Sequence, residues 1–178
     1  MDLLAGPFLA GAALLGLAGL GKLRRPAPTA TVLRALGLPG SDLLVRAGAV
    51  VEVVIAVGAV AFGDRVFAGL LAASYLGFAA FVLVAMRRQV PLSSCGCFGR
   101  TDTPPSAVHV VVDLAFAGVA GAVAAGPVGD LGQVLEGQPL LGVPFLALTA
   151  VSVALAYLSL TILPATLALA TRRVPSTG

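Results

Sequence analysis

Residues 66–86 read VFAGLLAASYLGFAAFVLVAM, without a charge or a proline, and the run stops at Arg87-Arg88. A helix rises about 1.5 Å per residue, so a run of this length crosses a hydrocarbon core about 30 Å thick. The run does not alternate polar and apolar residues as a barrel strand would. In lipid its backbone groups must therefore be satisfied within a helix. Composition agrees along the whole chain. Of 178 residues, 58% are hydrophobic and only 11% are charged, against about 25% charged in soluble domains. Mean hydropathy is +1.04. A soluble domain of this size would need more polar groups to cover its surface.

Four further apolar runs flank this one. Leu3–Leu20 ends at Lys22, and Leu43–Phe62 follows a polar, basic stretch. Ala107–Ala125 comes next, and the last run extends from Leu140 to Ala170 with Pro144 and Pro164 inside it. Asp2 precedes the first run and the cations follow it, the reverse of a signal peptide, so the run is read as an uncleaved span. Pro144 suits the first turn of a helix, whereas Pro164 is expected to kink or end one. Thr31–Leu38 is expected to form a short interfacial helix, Gly63-Asp64-Arg65 a tight turn, and Ser106 the N-cap of the fourth span. Gly11, Ala12, Gly16 and Gly19 allow close helix approach, as do the spacings Ala73/Gly77 and Gly118/Ala122. With no tryptophan in the chain, the interfacial aromatic belt rests on Tyr75 and Tyr157. The expected fold is all-α, a polytopic membrane helix bundle of four core spans plus a fifth C-terminal span.

With five spans, ten of the eleven Lys and Arg residues fall on one side and only Arg65 on the other. The positive-inside rule then puts the N-terminus outside and the C-terminus in the cytoplasm. The loop between the third and fourth spans is cytoplasmic by the same count. The net charge is +3, and no basic stripe with interleaved aromatics suggests nucleic acid. The partner that composition implies is the lipid bilayer.

That loop carries the only two cysteines, in Ser93-Ser94-Cys95-Gly96-Cys97-Phe98-Gly99. Two thiols one residue apart can pair with each other, hold a soft metal ion, or do neither. A Cys-x-Cys disulfide closes a small strained ring, which suits thiol-disulfide exchange better than a structural staple. Arg87, Arg88 and Arg100 nearby favour the thiolate. Cu(I) or another thiophilic ion needs only two thiolates, whereas closed structural zinc wants four ligands. With His109 the chain offers three, and it holds no further Cys or His. A membrane scaffold with incidental cysteines is the third reading.

Four more residues are candidates for chemistry. His109 and Asp113 are four residues apart and share a helix face just after the cysteine loop. An Asp that orients a His, with the His moving protons for a thiol, is one use of such a pair. A polar pair facing the bundle interior is the other. Glu52 sits mid-span, where an acid is costly and marks a functional site or a buried pair. Lys22 is its most obvious partner by charge, although a Lys at a helix end also snorkels to the interface.

The segment Gly19-Leu20-Gly21-Lys22-Leu23, the mid-span Glu52 and Cys95-Gly96-Cys97-Phe98-Gly99 after the third span together resemble the MauE family. These are methylamine-utilisation proteins grouped with DoxX-like, redox-associated membrane proteins. The resemblance covers about Leu3 to Gly126. It implies a four-helix membrane domain over 1–126, an external loop over 127–139, and an additional span with a basic tail over 140–178. It also implies a bacterial plasma-membrane protein acting in thiol-disulfide chemistry beside a thioredoxin-like partner, with a quinone-type molecule as one candidate electron acceptor. In the namesake system that role serves maturation of methylamine dehydrogenase in amine metabolism. Cys95 and Cys97 match the redox pair, and Lys22 and Glu52 the charged pair behind it. Asp113 stands where the family pattern is expected to carry Asn or Arg-Asn. Disulfide formation for exported proteins belongs outside the cytoplasm, whereas the charge count places these cysteines inside. Either they are reached through the bundle, or electrons come from a cytoplasmic donor.

Overall fold

The computed structural model describes residues 2–88 and 106–163, and among these every regular element is helical. Five helices are long and apolar enough to span a membrane. They are α1 (Asp2–Arg24), α3 (Asp42–Phe62), α4 (Arg65–Arg87), α5 (Ala107–Ala125) and α7 (Val143–Thr161). Two short helices lie between them, α2 (Ala27–Ala35) and α6 (Leu131–Glu136), and a 3-10 turn at Pro139–Gly142 leads into α7. Pro144 sits in the first turn of α7, as expected. Pro164 lies outside the described residues.

Local sequence explains most of the boundaries. Ser41 caps α3 by accepting from the Leu44 amide at 3.2 Å, and Asp64 caps α4 by accepting from Phe67 at 2.9 Å. Between α3 and α4 the turn passes through Gly63 at φ 57°. Its backbone lies against the Gly129 carbonyl, so a side chain there would collide as well as strain. The interfacial helix starts earlier than Thr31–Leu38. Pro26 and Pro28 occupy its cap and first turn, where proline is pre-organised for helix. Gly37 at φ 77° ends it. The α6 helix was not expected; Asp130 starts it by accepting from the Gln133 amide at 2.9 Å.

Glycines set how the spans pack. With no hydrophobic drive between helices in lipid, association depends on close packing. A β-carbon at Gly19 would stand 2.9 Å from the Ala49 carbonyl and the Val53 side chain, and one at Gly16 would stand 3.3 Å from Ala56. Those pairings run in opposite directions along the two helices, so α1 and α3 are antiparallel and nearly touch. Likewise α4 and α5 are antiparallel, with Val82 beside Val110 and Tyr75 stacked on Phe116 at 5.3 Å. The core is filled by Phe8, Leu15, Leu71 and Val123, all almost fully buried. Of the spans, α1 is the most enclosed, with 56% of its apolar window buried, whereas α7 has 6% and lies at the periphery. Two expectations fail here. Nothing lies within 4 Å of a side chain built at Gly77 or Gly118, and Ala73 and Ala122 are exposed. These small residues face away from the bundle or into an open cleft rather than a helix contact.

Arg24, Arg25, Arg34, Arg46, Arg87 and Arg88 gather at or near one end of the bundle, with Lys22 turned further in, and Arg65 lies at the other end. Arg88 donates to the Leu36 carbonyl at 3.1 Å, fastening the end of α4 to α2.

Candidate functional site

The acid that sequence places mid-membrane is paired. Lys22 Nζ lies 2.5 Å from Glu52 Oε1, with the two side chains 6% and 14% exposed. The close approach at Gly19, one turn before Lys22, is what lets the pair meet. Lys22 therefore points into the bundle instead of snorkelling out of it. Its ammonium also sits 4.5 Å above the centre of the Phe78 ring, an arrangement that stabilises a partly desolvated cation. Glu52 Oε2, by contrast, is buried and makes no hydrogen bond. An orphaned carboxylate oxygen away from water is costly.

The pair borders a cleft of ≈ 350 Å³ lined mainly by α3 and α4, to which Thr29 and Leu33 of α2 also contribute. Val45, Gly48, Gly77 and Phe81 contribute to its walls. The volume is that of a small-molecule site.

A second polar group lies on the other side of Phe78. His109 and Asp113 are buried on α5, 3% and 7% exposed. They line a cavity of ≈ 30 Å³ with Tyr75, Phe78, Phe116 and Leu160, room for about one or two water molecules. Ser106 is at the start of α5, but its hydroxyl makes no bond to the helix backbone. It sits 3.0 Å from His109 Nδ1, holding the ring instead of capping the helix. The direction of that bond depends on the imidazole tautomer.

Tyr75 is the residue that sequence reasoning misplaced. It is 4% exposed and central, not part of an interfacial belt. Its hydroxyl donates to the Gly11 carbonyl at 2.6 Å. The signal was present, because a phenol mid-span has to find an internal partner. Phe78, one turn further on, was not singled out at all.

Cys95 and Cys97 lie outside the described residues. The residues on either side of that segment are both held: Arg88 to Leu36, and Ser106 to His109. Both anchors belong to the cation-rich end.

Residues 2–126 match the family described as Methylamine utilisation protein MauE. The chain belongs to the MauE family. No curated protein and no solved structure gives a significant match. The MauE match takes in α1 to α5, and with them Lys22, Glu52, Tyr75, Cys95, Cys97, His109 and Asp113. It stops at Gly126, so α6 and α7 lie beyond it.

Proposed function

We propose that this MauE-family membrane protein is a thiol-disulfide redox component in which Cys95 and Cys97 cycle between dithiol and disulfide. One observation carries the reading. Two buried polar groups, Lys22–Glu52 and His109–Asp113, share Phe78 as a wall. His109, in the first turn of α5, lies toward the end of the bundle that anchors both sides of the cysteine segment, and Lys22–Glu52 lies further in. Buried ionisable groups in a membrane are costly to keep and by default mark a working site. In this reading His109, with Asp113 one turn further along α5, moves protons for the thiols. Lys22–Glu52 is the charged pair behind them. In this reading the partner is a thioredoxin-like protein and the exchange serves maturation of a protein of amine metabolism, a reading that the family's description as a methylamine utilisation protein supports.

By the distribution of Lys and Arg, the cation-rich end faces the cytoplasm of a bacterial cell. Residues 1–126 form the working domain, 127–139 the external connection, and 140–178 an addition to it.

The test is a gel-shift assay with a thiol-reactive label on wild type and on the Cys95→Ser, Cys97→Ser double variant. A shift that reverses between oxidant and reductant, survives metal chelation and disappears in the double variant supports a redox pair. A shift abolished only by adding or removing a thiophilic metal would instead identify a metal carrier. No shift under any condition would leave a scaffold.

A further inference from the structure

We propose that α7, which lies beyond the family match, forms a wall of the His109–Asp113 chamber and fixes the His109 ring through the Leu160 main-chain carbonyl. The burial of α7 is concentrated at that point. Leu160 is its one buried residue, and it lines the chamber together with Leu15 and Ala18 of α1 and His109 of α5. Near its start α7 meets the start of α1, where a β-carbon at Gly6 would stand 3.5 Å from Phe145. The two helices therefore run side by side in one direction, and α7 reaches His109 with its last turn.

The Leu160 main chain is a hydrogen-bond partner of the His109 ring. Its amide is bonded inside the helix, so the carbonyl is what it offers. A helical carbonyl is normally taken by the amide four residues on. Here residue 164 is a proline, which has no N–H to give. In lipid a carbonyl left open is costly, and the imidazole supplies the missing donor. A carbonyl only accepts, so the ring nitrogen facing it carries a hydrogen. Nδ1 is taken by the Ser106 hydroxyl at 3.0 Å, which leaves Nε2 for Leu160. The Ser106 carbonyl already accepts the His109 amide at 3.1 Å. The neutral ring is then Nε2–H, with Nδ1 accepting from the Ser106 hydroxyl. In the cysteine reading above, on which only this step rests, Nδ1 is the nitrogen that takes the proton. It faces Ser106, at the edge of the cysteine segment.

The chain has one histidine, so its ring gives an unambiguous nitrogen spectrum. The experiment is solid-state NMR on the full chain in lipid bilayers, with 15N-labelled histidine and with leucine carrying 13C at its carbonyl. A protonated Nε2 is expected, with a carbonyl carbon about 4 Å away, from an N···O distance of about 2.9 Å and a C=O bond of about 1.2 Å. Leu160→Ile keeps the main chain but carries no label, so the dipolar contact should vanish while the tautomer stays. Ser106→Ala should also keep Nε2–H, because the Leu160 carbonyl still demands it. No carbonyl contact, a contact that survives Leu160→Ile, or a tautomer mixture in Ser106→Ala would each overturn the proposal. None of these readouts involves a thiol, so the gel-shift assay can fail and leave the α7 contact standing.

Discussion

The Tyr75 hydroxyl donates to the Gly11 carbonyl across 2.6 Å, joining the middle of α4 to α1 through the centre of the core. The accepting residue is a glycine, which also makes room for a neighbouring ring. A β-carbon at Gly11 would meet the Phe116 ring at 2.9 Å, and that ring is itself stacked on Tyr75. Tyr75→Phe keeps the stacking and removes only the bond. The expected loss is about 0.5–1.5 kcal/mol of unfolding free energy, since Gly11 sits inside α1 and its carbonyl keeps its helical bond. Gly11→Leu should cost more, because α5 would have to retreat. Denaturant unfolding of the purified protein in detergent measures both.

The Lys22–Glu52 pair should behave as a unit. Lys22→Met or Glu52→Gln alone leaves one buried group without its partner, and each is expected to cost on the order of 3 kcal/mol. The double variant Lys22→Met, Glu52→Gln should recover most of that loss, because neither buried charge remains. A double-mutant cycle on unfolding free energies gives the coupling. Additive losses would show that the two side chains do not act together.

Glycines in α1 and α3 should respond oppositely to one added carbon. Gly19→Ala places a methyl against the Ala49 carbonyl and Val53, and forces apart the helices that carry Lys22 and Glu52. Gly48→Ala meets nothing within 4 Å and, by replacing a glycine inside a helix, should stabilise by about 0.5–1 kcal/mol. Comparing thermal unfolding of the two variants checks the packing.

An impermeant maleimide applied to intact cells tests the orientation. The cysteines should label only after permeabilisation, if the cation-rich end is cytoplasmic. Ready labelling from outside would reverse the proposed topology and ease the conflict with extracytoplasmic disulfide formation.

The spans were legible because charges, glycines and prolines punctuate them. Arg87-Arg88 ends α4, Asp64 starts it, and Ser41 starts α3, each for a local reason that sequence carries. Lys22 and Glu52 were legible as partners by charge. What brings them together is the fit of Gly19 against α3, a matter of helix offset. Tyr75 was read as belt because composition counts aromatics without placing them along a span. Its register, near the middle of residues 65–87, was the better guide. Ala73/Gly77 and Gly118/Ala122 show the limit of spacing rules, since a small-residue stripe looks the same beside a neighbour, a cleft or lipid. The start of α2 at Ala27, ahead of Thr31, follows from Pro26 and Pro28, which begin the helix.

Phe78 is a single partition between two chambers, the cleft above Lys22–Glu52 and the small cavity at His109–Asp113. Rotating one ring would enlarge one chamber at the other's expense. A ring with two such positions would link the filling of one chamber to that of the other, and by reciprocity the link would run equally in both directions.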